Sequence, residues 1–498
     1  MTLYAMMSGW ARSARETPDE PAVTIGDQPS VNWGELHRRS NQLARHYSDR
    51  GVVWGDLVTV SLPTSIDAVL AILAVIKLGA TPSPISARLP EVELRGLLEL
   101  AKPRIVVAED GALPNDIATV GPARDLSGVD DSDLPDVISP SFKAPSSGGS
   151  TGRPKLIMSG SPALMDDGPN SGARSLKMPS DSTVLSAGPL YHNTATSVIL
   201  AGLSLRNHVV LEERFDPELT LRLINRHRVT WTLLVPTMMT RIMRLPEATR
   251  TSYDLSSLDA VVHNAAPCPP ELKRAWIDWI GPERVFENYT ATEQSAATLV
   301  SGTEWLQRPG TVGRAVSGEF SIRDDDERAC PPDEIGVIWM RRPAGTPPTF
   351  RYIGEANADR DDRWETVGDL GWVDEDGYLY IADRRTDLII SGGANIYPAE
   401  VEAAISAHPD VLECVVVGLA DDDRGKIVHA IVHPATSSLD AEDLDHFVQA
   451  RLTRYKCPRS YEFVDQPIRN DAGKVRRTAL AGERDAAIPS LTAERARS

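Results

Sequence analysis

The chain has 498 residues, 41% hydrophobic and 24% charged, the composition of an ordinary globular protein but longer than one core usually organises, so two or three domains are expected. Asp and Glu outnumber Lys and Arg by 70 to 52, and the formal charge of −18 excludes a broad basic surface for nucleic acid or anionic membrane; any anion must be held locally. The cysteines Cys268, Cys330, Cys414 and Cys457 form no C-x-x-C pair, which supports neither a zinc ribbon nor a disulfide framework and fits a reducing cytoplasm. Met1 to Pro18 lacks the apolar core of a signal peptide. The most apolar run, Ala68 to Ile76, falls short of the roughly 20 residues of a membrane span and reads as a buried helix.

In chain order, helices are expected from Ser8 to Arg15 and from Trp33 to about Asp49, around a strand Ala22–Ile25. Leu57–Leu62, Ile66–Leu78 and Pro103–Ala108 then alternate strand, helix, strand, the pattern of a parallel sheet covered by helices. A stretch rich in Asp, Pro, Ser and Gly between Gly111 and Ser146 reads as a surface connection. Further strands are expected at Ser182–Ser186, Val209–Leu211, Thr230–Val235 and Ala260–Val262, with helices at Pro217–Arg226, Thr237–Arg244 and Pro270–Ile280. After Thr303 short strands separated by polar turns (Gly310–Arg314, Glu319–Ile322, Gly336–Met340, Tyr378–Ile381) suggest an antiparallel subdomain. Helices at Pro398–Ala407 and Asp440–Arg454, with strands at Glu413–Val417, Ile427–Val432 and Tyr461–Val464, complete a compact α+β unit. The expected fold is therefore α/β: a large multi-subdomain N-terminal domain (1–383), a small C-terminal domain (384–482) and a charged tail (483–498) without periodicity.

The stretch Ser147-Gly-Gly-Ser-Thr-Gly-Arg-Pro-Lys155 carries the first chemical signal. Glycines accept positive φ, so successive N–H groups can face one concavity, while Ser150, Thr151 and Lys155 add hydroxyls and a cation. Such a loop suits a polyphosphate such as ATP. It is not a Walker A loop, because Arg153 and Pro154 follow Gly152 and the lysine arrives later.

Together with Tyr289-Thr-Ala-Thr-Glu293, Gly368-Asp-Leu-Gly371, Asp383-Arg384, Ser391-Gly-Gly-Ala-Asn-Ile-Tyr-Pro-Ala-Glu400 and Asn470-Asp-Ala-Gly-Lys474, this loop resembles the ordered motifs of adenylate-forming enzymes: acyl-CoA synthetases, adenylation domains of nonribosomal peptide synthetases, and luciferases. The resemblance runs from about Trp10 to Thr478 and looks closest to the bile-acid-CoA-ligase-like branch, through Pro189-Leu-Tyr-His-Asn193, Leu272–Trp279 and Glu304–Gly310. It implies attack of a carboxylate on the α-phosphate of ATP, giving an acyl adenylate and pyrophosphate, and then transfer to an acceptor.

On that resemblance Lys474 is the catalytic lysine, which relieves repulsion between the two anions. Glu293 and Thr151 are the magnesium ligands. Ser147, Gly149, Ser150, Thr151, Gly152 and Lys155 cradle phosphates, Ala265, Ala266, Tyr289, Thr290 and Thr292 belong to the nucleotide site with Tyr289 flanking the adenine, Asp369 accepts the ribose hydroxyls, and Arg384 donates to the ribose or phosphate side. Tyr191, His192, Met238, His263 and Asn264 are candidates for the acid pocket, His192 as a packing or gating residue, since a carboxylate needs no base at neutral pH. Gly392 and Gly393 are the expected thiolation loop, which replaces Lys474 when the small domain swings about the Asp383–Asp387 hinge.

The sequence departs from the pattern at Thr290, where glycine is usual and a side chain should narrow or polarise the pocket floor; at Thr386, where the hinge usually carries a charge; and at Lys426, where an acid is common. The leading expectation is a cytoplasmic, ATP- and magnesium-dependent ligase that joins a hydrophobic carboxylic acid to coenzyme A. An amide synthetase passing the adenylate to an amine, and a non-catalytic nucleotide-binding scaffold, are the alternatives. No nucleic-acid partner or membrane span is expected, and monomer and homodimer both stay open.

Overall fold

A computed structural model describes residues 3–147, 155–166, 172–354, 364–421, 424–470 and 473–485. Its frame is one long mixed sheet. Pro21–Ile25, His208–Leu211, Thr183–Ser186, Trp231–Leu234, Ala260–His263 and Val285–Thr290 lie side by side and parallel. These short runs are β-branched and apolar, and almost wholly buried, as strands covered on both faces must be. The helices between them close the faces; Pro217–His227, capped by Asp216 through Glu218 and Leu219, and Pro270–Ile280 pack their apolar sides against the second of the two large cores.

At Val285–Thr290 the pairing changes sense. Ala297–Ser301 and Thr311–Ser317 continue it antiparallel, followed by Leu379–Arg384, Asp369–Val373, Gly336–Arg341 and Glu319–Arg323. The sheet thus runs unbroken from the helix-covered half into the antiparallel subdomain expected after Thr303.

A second, parallel sheet holds Thr81–Pro84, Leu57–Ser61, Ile105–Ala108 and Thr119–Val120. The helix Ile66–Lys77 on it is buried from Ala68 onward, which explains its apolar run; even Lys77 is enclosed, its amine donating to Ser40 Oγ at 2.7 Å and Asn41 Oδ1 at 2.6 Å. A third sheet joins Ser146–Ser147, Lys155–Ser159 and Phe350–Ile353. Among the described residues no helix is long and apolar enough to cross a membrane.

The small C-terminal domain is a hairpin of long strands, Val411–Asp421 and Gly425–Pro434, flanked by Ile389–Ser391, Ala394–Ile396 and Ser460–Phe463. Helices Pro398–Ser406 and Ala441–Gln449 cover one face with a separate core. The second helix ends at Gln449, short of the expected Arg454, and the helices Glu91–Ala101 and Asn193–Ser204, with the shorter Gly172–Ser175, Glu247–Arg250 and Gly302–Gln307, escape the sequence reading. Residues 477–485 are helical and Arg484 pairs with Glu462 at 2.8 Å; residues 486–498, most of the expected tail, lie outside the described residues.

Candidate active site

The parallel strands all end on one side, and the antiparallel extension folds beside that edge. Tyr289 is next to last in Val285–Thr290, Asp369 opens its strand after Gly368 turns the chain at φ 82°, and Arg384 closes the neighbouring strand. Register puts Asp369 directly opposite Arg384. Arg384 Nε donates to Asp369 Oδ1 at 3.0 Å, and the Tyr289 hydroxyl donates to Oδ2 at 2.7 Å. Burial and the Asp369 charge hold the Tyr289 hydroxyl well above its ordinary pKa. Both carboxylate oxygens are thus oriented by neighbours.

A second corner forms where the third sheet meets the turn after Tyr289. Lys155 begins its strand, and Tyr352 lies opposite Ile157 on the facing one. The Lys155 ammonium sits 4.0 Å from the centre of the Tyr352 ring, and the Tyr352 hydroxyl donates to Glu293 Oε1 at 2.7 Å. Glu293 is buried, and its carboxylate is the hard oxygen donor that magnesium favours. Ser147 pairs by backbone with Lys155; its side chain, and Gly149, Ser150, Thr151 and Gly152, lie outside the described residues. Tyr352 was not singled out from sequence. Its only signal was alternation in Phe350-Arg-Tyr-Ile353.

Lys474 arrives from the small domain on a self-closed turn: Gly473 N donates to Asn470 O at 2.8 Å, Asn470 N to Lys474 O at 2.9 Å, and Lys474 N to Asn470 Oδ1 at 3.0 Å. Gly473 takes φ 72°, the left-handed region that glycine enters freely. Desolvation at the domain junction and the Arg384 charge lower the Lys474 amine, with Glu293 opposing them. His192 is pushed down to about 3 by burial and by Lys474, which fixes it as neutral imidazole. Lys474 thus lies within electrostatic reach of Arg384, Glu293 and His192. Arg476 pairs with Glu93 at 2.7 Å and Arg244 donates to the Val411 carbonyl, joining the two domains.

At the start of the small domain, the buried Asp383 carboxylate accepts from Arg384 N at 2.7 Å and Ala399 N at 2.8 Å. Burial, only partly offset by those bonds, raises it to about 6. Arg477 bridges Asp387 at 3.0 Å and Glu402 at 2.7 Å. Thr386, at the position read as lacking a hinge charge, contacts only its neighbour Asp387 among the described residues, at 3.3 Å.

The expected acid-pocket residues divide. The Tyr191 and His192 rings meet tilted, with centroids 4.3 Å apart, ahead of the helix Asn193–Ser204, His192 within reach of the Lys474 charge. Met238 instead packs into the core, and His263 is fully enclosed, pushed down to about 4 by burial beside the Lys273–Glu287 pair. His263 is the last buried residue of its strand, and Asn264 is the first to emerge. Asn264 is half-buried with Oδ1 unpartnered among the described residues, and Ala265 takes φ 71°, a strained backbone for a residue with a Cβ. Ala266, next in sequence, and Thr292, just before Glu293, are half-buried. The Thr290 hydroxyl donates to the Ala296 carbonyl at 2.9 Å; it is spent within the turn and does not polarise a pocket floor. Gly392 and Gly393 form the tight turn between Ile389–Ser391 and Ala394–Ile396, with φ 56° and 82°, and a Cβ at either would meet nothing within 4 Å.

Residues 10–348 match the family described as AMP-binding enzyme, and residues 400–474 match its C-terminal domain. The chain is 30% identical over 489 residues to 2-succinylbenzoate–CoA ligase of Bacillus licheniformis, covering 95% of this chain and 98% of that one. It is 31% identical over 489 residues to feruloyl-CoA synthase of an Amycolatopsis species, covering 94% and 97%. Among solved structures, o-succinylbenzoate CoA synthetase from Bacillus subtilis with its acyl-adenylate intermediate superposes with a TM-score of 0.81 at 27% identity, covering 96% and 98%. The same enzyme with ATP and a magnesium ion gives 0.79 at 28%, covering 96% and 100%. The chain belongs to the AMP-binding enzyme family, the adenylate-forming superfamily.

Proposed function

We propose that the protein activates a hydrophobic carboxylic acid with ATP, releasing pyrophosphate, and transfers the acyl group from the adenylate to coenzyme A. The observation that supports this most is the Tyr289–Asp369–Arg384 cluster, with Asp369 held by both neighbours, lying within electrostatic reach of Lys474.

In this reading Asp369, with both oxygens oriented, accepts the ribose hydroxyls, and Tyr289 flanks the base. Lys155 and the preceding loop hold the phosphates. Magnesium is held by Glu293 and Thr151, and when bound it neutralises phosphate charge. Lys474 stands where the incoming carboxylate and the α-phosphate meet; a fixed ammonium there stabilises charge that two anions would otherwise oppose. His192, neutral at physiological pH, adds no charge there. Residues 1–383 supply the nucleotide and acid sites. Residues 384–482 carry Lys474 into place for the first step and, by turning about Asp383–Asp387, bring the open Gly392–Gly393 turn to the site for the second. The cytoplasm supplies ATP and coenzyme A.

The test is mass spectrometry of products from purified protein, ATP, magnesium and a panel of aliphatic, aryl and steroid acids, each with coenzyme A, with an amine mixture, or with neither. Acyl-CoA is the expected product. Adenylate that yields amide but no thioester reassigns the acceptor, and absence of AMP throughout overturns the enzyme reading for those acids.

A further inference from the structure

Tyr352 touches two charges that the adenylation reading gives to different ligands. It lies opposite Ile157 in the antiparallel pair of Lys155–Ser159 with Phe350–Ile353, and side chains two apart on a strand share a face. Lys155, Ile157, Phe350 and Tyr352 therefore stand on one face of this sheet. The other face, with Leu156, Met158 and Ile353, is fastened into an apolar cluster beside Leu94 and Leu97. Lys155 is the diagonal neighbour of Tyr352, a separation that an aromatic ring can span.

The ring is held from several sides. Phe350 meets it edge-on, with centroids 4.9 Å apart and planes at 63°. The Lys155 ammonium lies 4.0 Å from its centre, where the negative π face attracts a cation. Its hydroxyl donates to Glu293 Oε1 at 2.7 Å, a hydrogen bond strengthened by the carboxylate charge. The turn that carries Glu293 is tied down on its far flank as well: the buried Ser295 hydroxyl donates to Glu365, which pairs with Arg342 at 3.3 Å. Among the described residues the Glu293 carboxylate accepts from Tyr352 alone.

The chemical sense lies in what the ring keeps apart. A lysine that met Glu293 directly would form an ion pair, and each group would neutralise the charge that a phosphate or a metal ion requires of the other. A phenol placed between them binds the cation with its face and the carboxylate with its hydroxyl. That one hydrogen bond fixes the carboxylate and occupies a single lone pair, which leaves oxygen for a hard cation such as magnesium.

We propose that Tyr352 is a positioning residue: its ring holds Lys155 for the phosphates of ATP and its hydroxyl holds Glu293 for magnesium, so that the two do not neutralise each other. The proposal rests on the adenylation reading above.

The experiment measures equilibrium binding of ATP by calorimetry, in EDTA and again with excess magnesium, for the wild-type chain, Tyr352→Phe and Tyr352→Leu, with unfolding temperature as the check on integrity. The Phe variant keeps the ring and loses the hydroxyl. It is expected to bind ATP in EDTA as the wild-type chain does, and to lose about fivefold or more of the affinity that magnesium adds. The Leu variant loses both contacts and is expected to bind ATP about fivefold or more weakly in EDTA as well. A Phe variant that matches the wild-type chain in both media, or that weakens equally in both, overturns the proposal. So does a Leu variant that binds in EDTA as well as the Phe variant, or a wild-type affinity indifferent to magnesium. Absence of ATP binding in either medium would instead defeat the adenylation reading itself.

Discussion

Gly473 lies against Thr237 across the domain junction: a Cβ at 473 would stand 3.0 Å from the Thr237 hydroxyl and 3.5 Å from Val235 Cγ2. The residue before the proposed catalytic lysine is thus one of the points at which the small domain rests on the large one. Gly473→Val adds a branched side chain at a positive φ and into that contact. Adenylation should slow by about tenfold or more, consistent with ~1.4 kcal/mol or more of misplacement. Thioester formation from pre-made adenylate should keep its rate, and assaying the two half-reactions separately checks both.

Lys474→Ala removes the ammonium without disturbing the turn, which is closed by backbone and Asn470. Loss of a positioned charge at the reacting centre typically costs about 10²–10³ in rate, and this is expected in single-turnover adenylation. Undiminished adenylation would remove the lysine from the mechanism.

Asp369→Asn keeps the shape but removes the charge that Arg384 and Tyr289 both address. Bonds to a charged group are worth roughly 1.5–3 kcal/mol, so the KM for ATP should rise about tenfold or more while the KM for the acid holds. Steady-state titration of each substrate separates these outcomes.

Glu212 sets a pH dependence of stability. It is fully buried, accepting from Thr220 Oγ1 at 2.6 Å and Asp216 N at 3.0 Å, and burial raises it to about 8. The unfolded chain releases this proton near 4.3, so between these values the folded state holds a proton the unfolded state has lost. Its contribution is complete below that range and declines as pH rises toward 8. Glu212→Gln should flatten this part of the profile and stabilise the protein at pH 8 by ~1 kcal/mol or more, read by denaturant unfolding at several pH values.

The parallel half was legible because its strands are short apolar runs between turn signals, and Pro270–Ile280 falls where its spacing predicts. The helix Asn193–Ser204 was hidden because its Thr, Ala and Ser residues give a weak apolar stripe, although Val198, Ile199 and Leu200 are buried. Within the proposed site, Lys474, Glu293, Asp369 and Arg384 could be named from sequence because each lies in a motif of fixed local spacing. Tyr352 could not, because its meaning comes from a partner far away in sequence, Glu293. His263 and Met238 lie buried, and sequence position near a strand end does not say how far a side chain sits inside the core.

Tyr289, Asp369 and Arg384 ride on strands of one continuous hydrogen-bonded sheet, whereas Lys474 belongs to the separate domain built around the Val411–Pro434 hairpin. In the proposed cycle the datum and the moving tool are therefore different bodies. Wear in the moving part, whether by mutation at the junction or by exchange of the small domain, is expected to change the timing of the lysine's arrival but to leave the coordinates against which the nucleotide is aligned untouched.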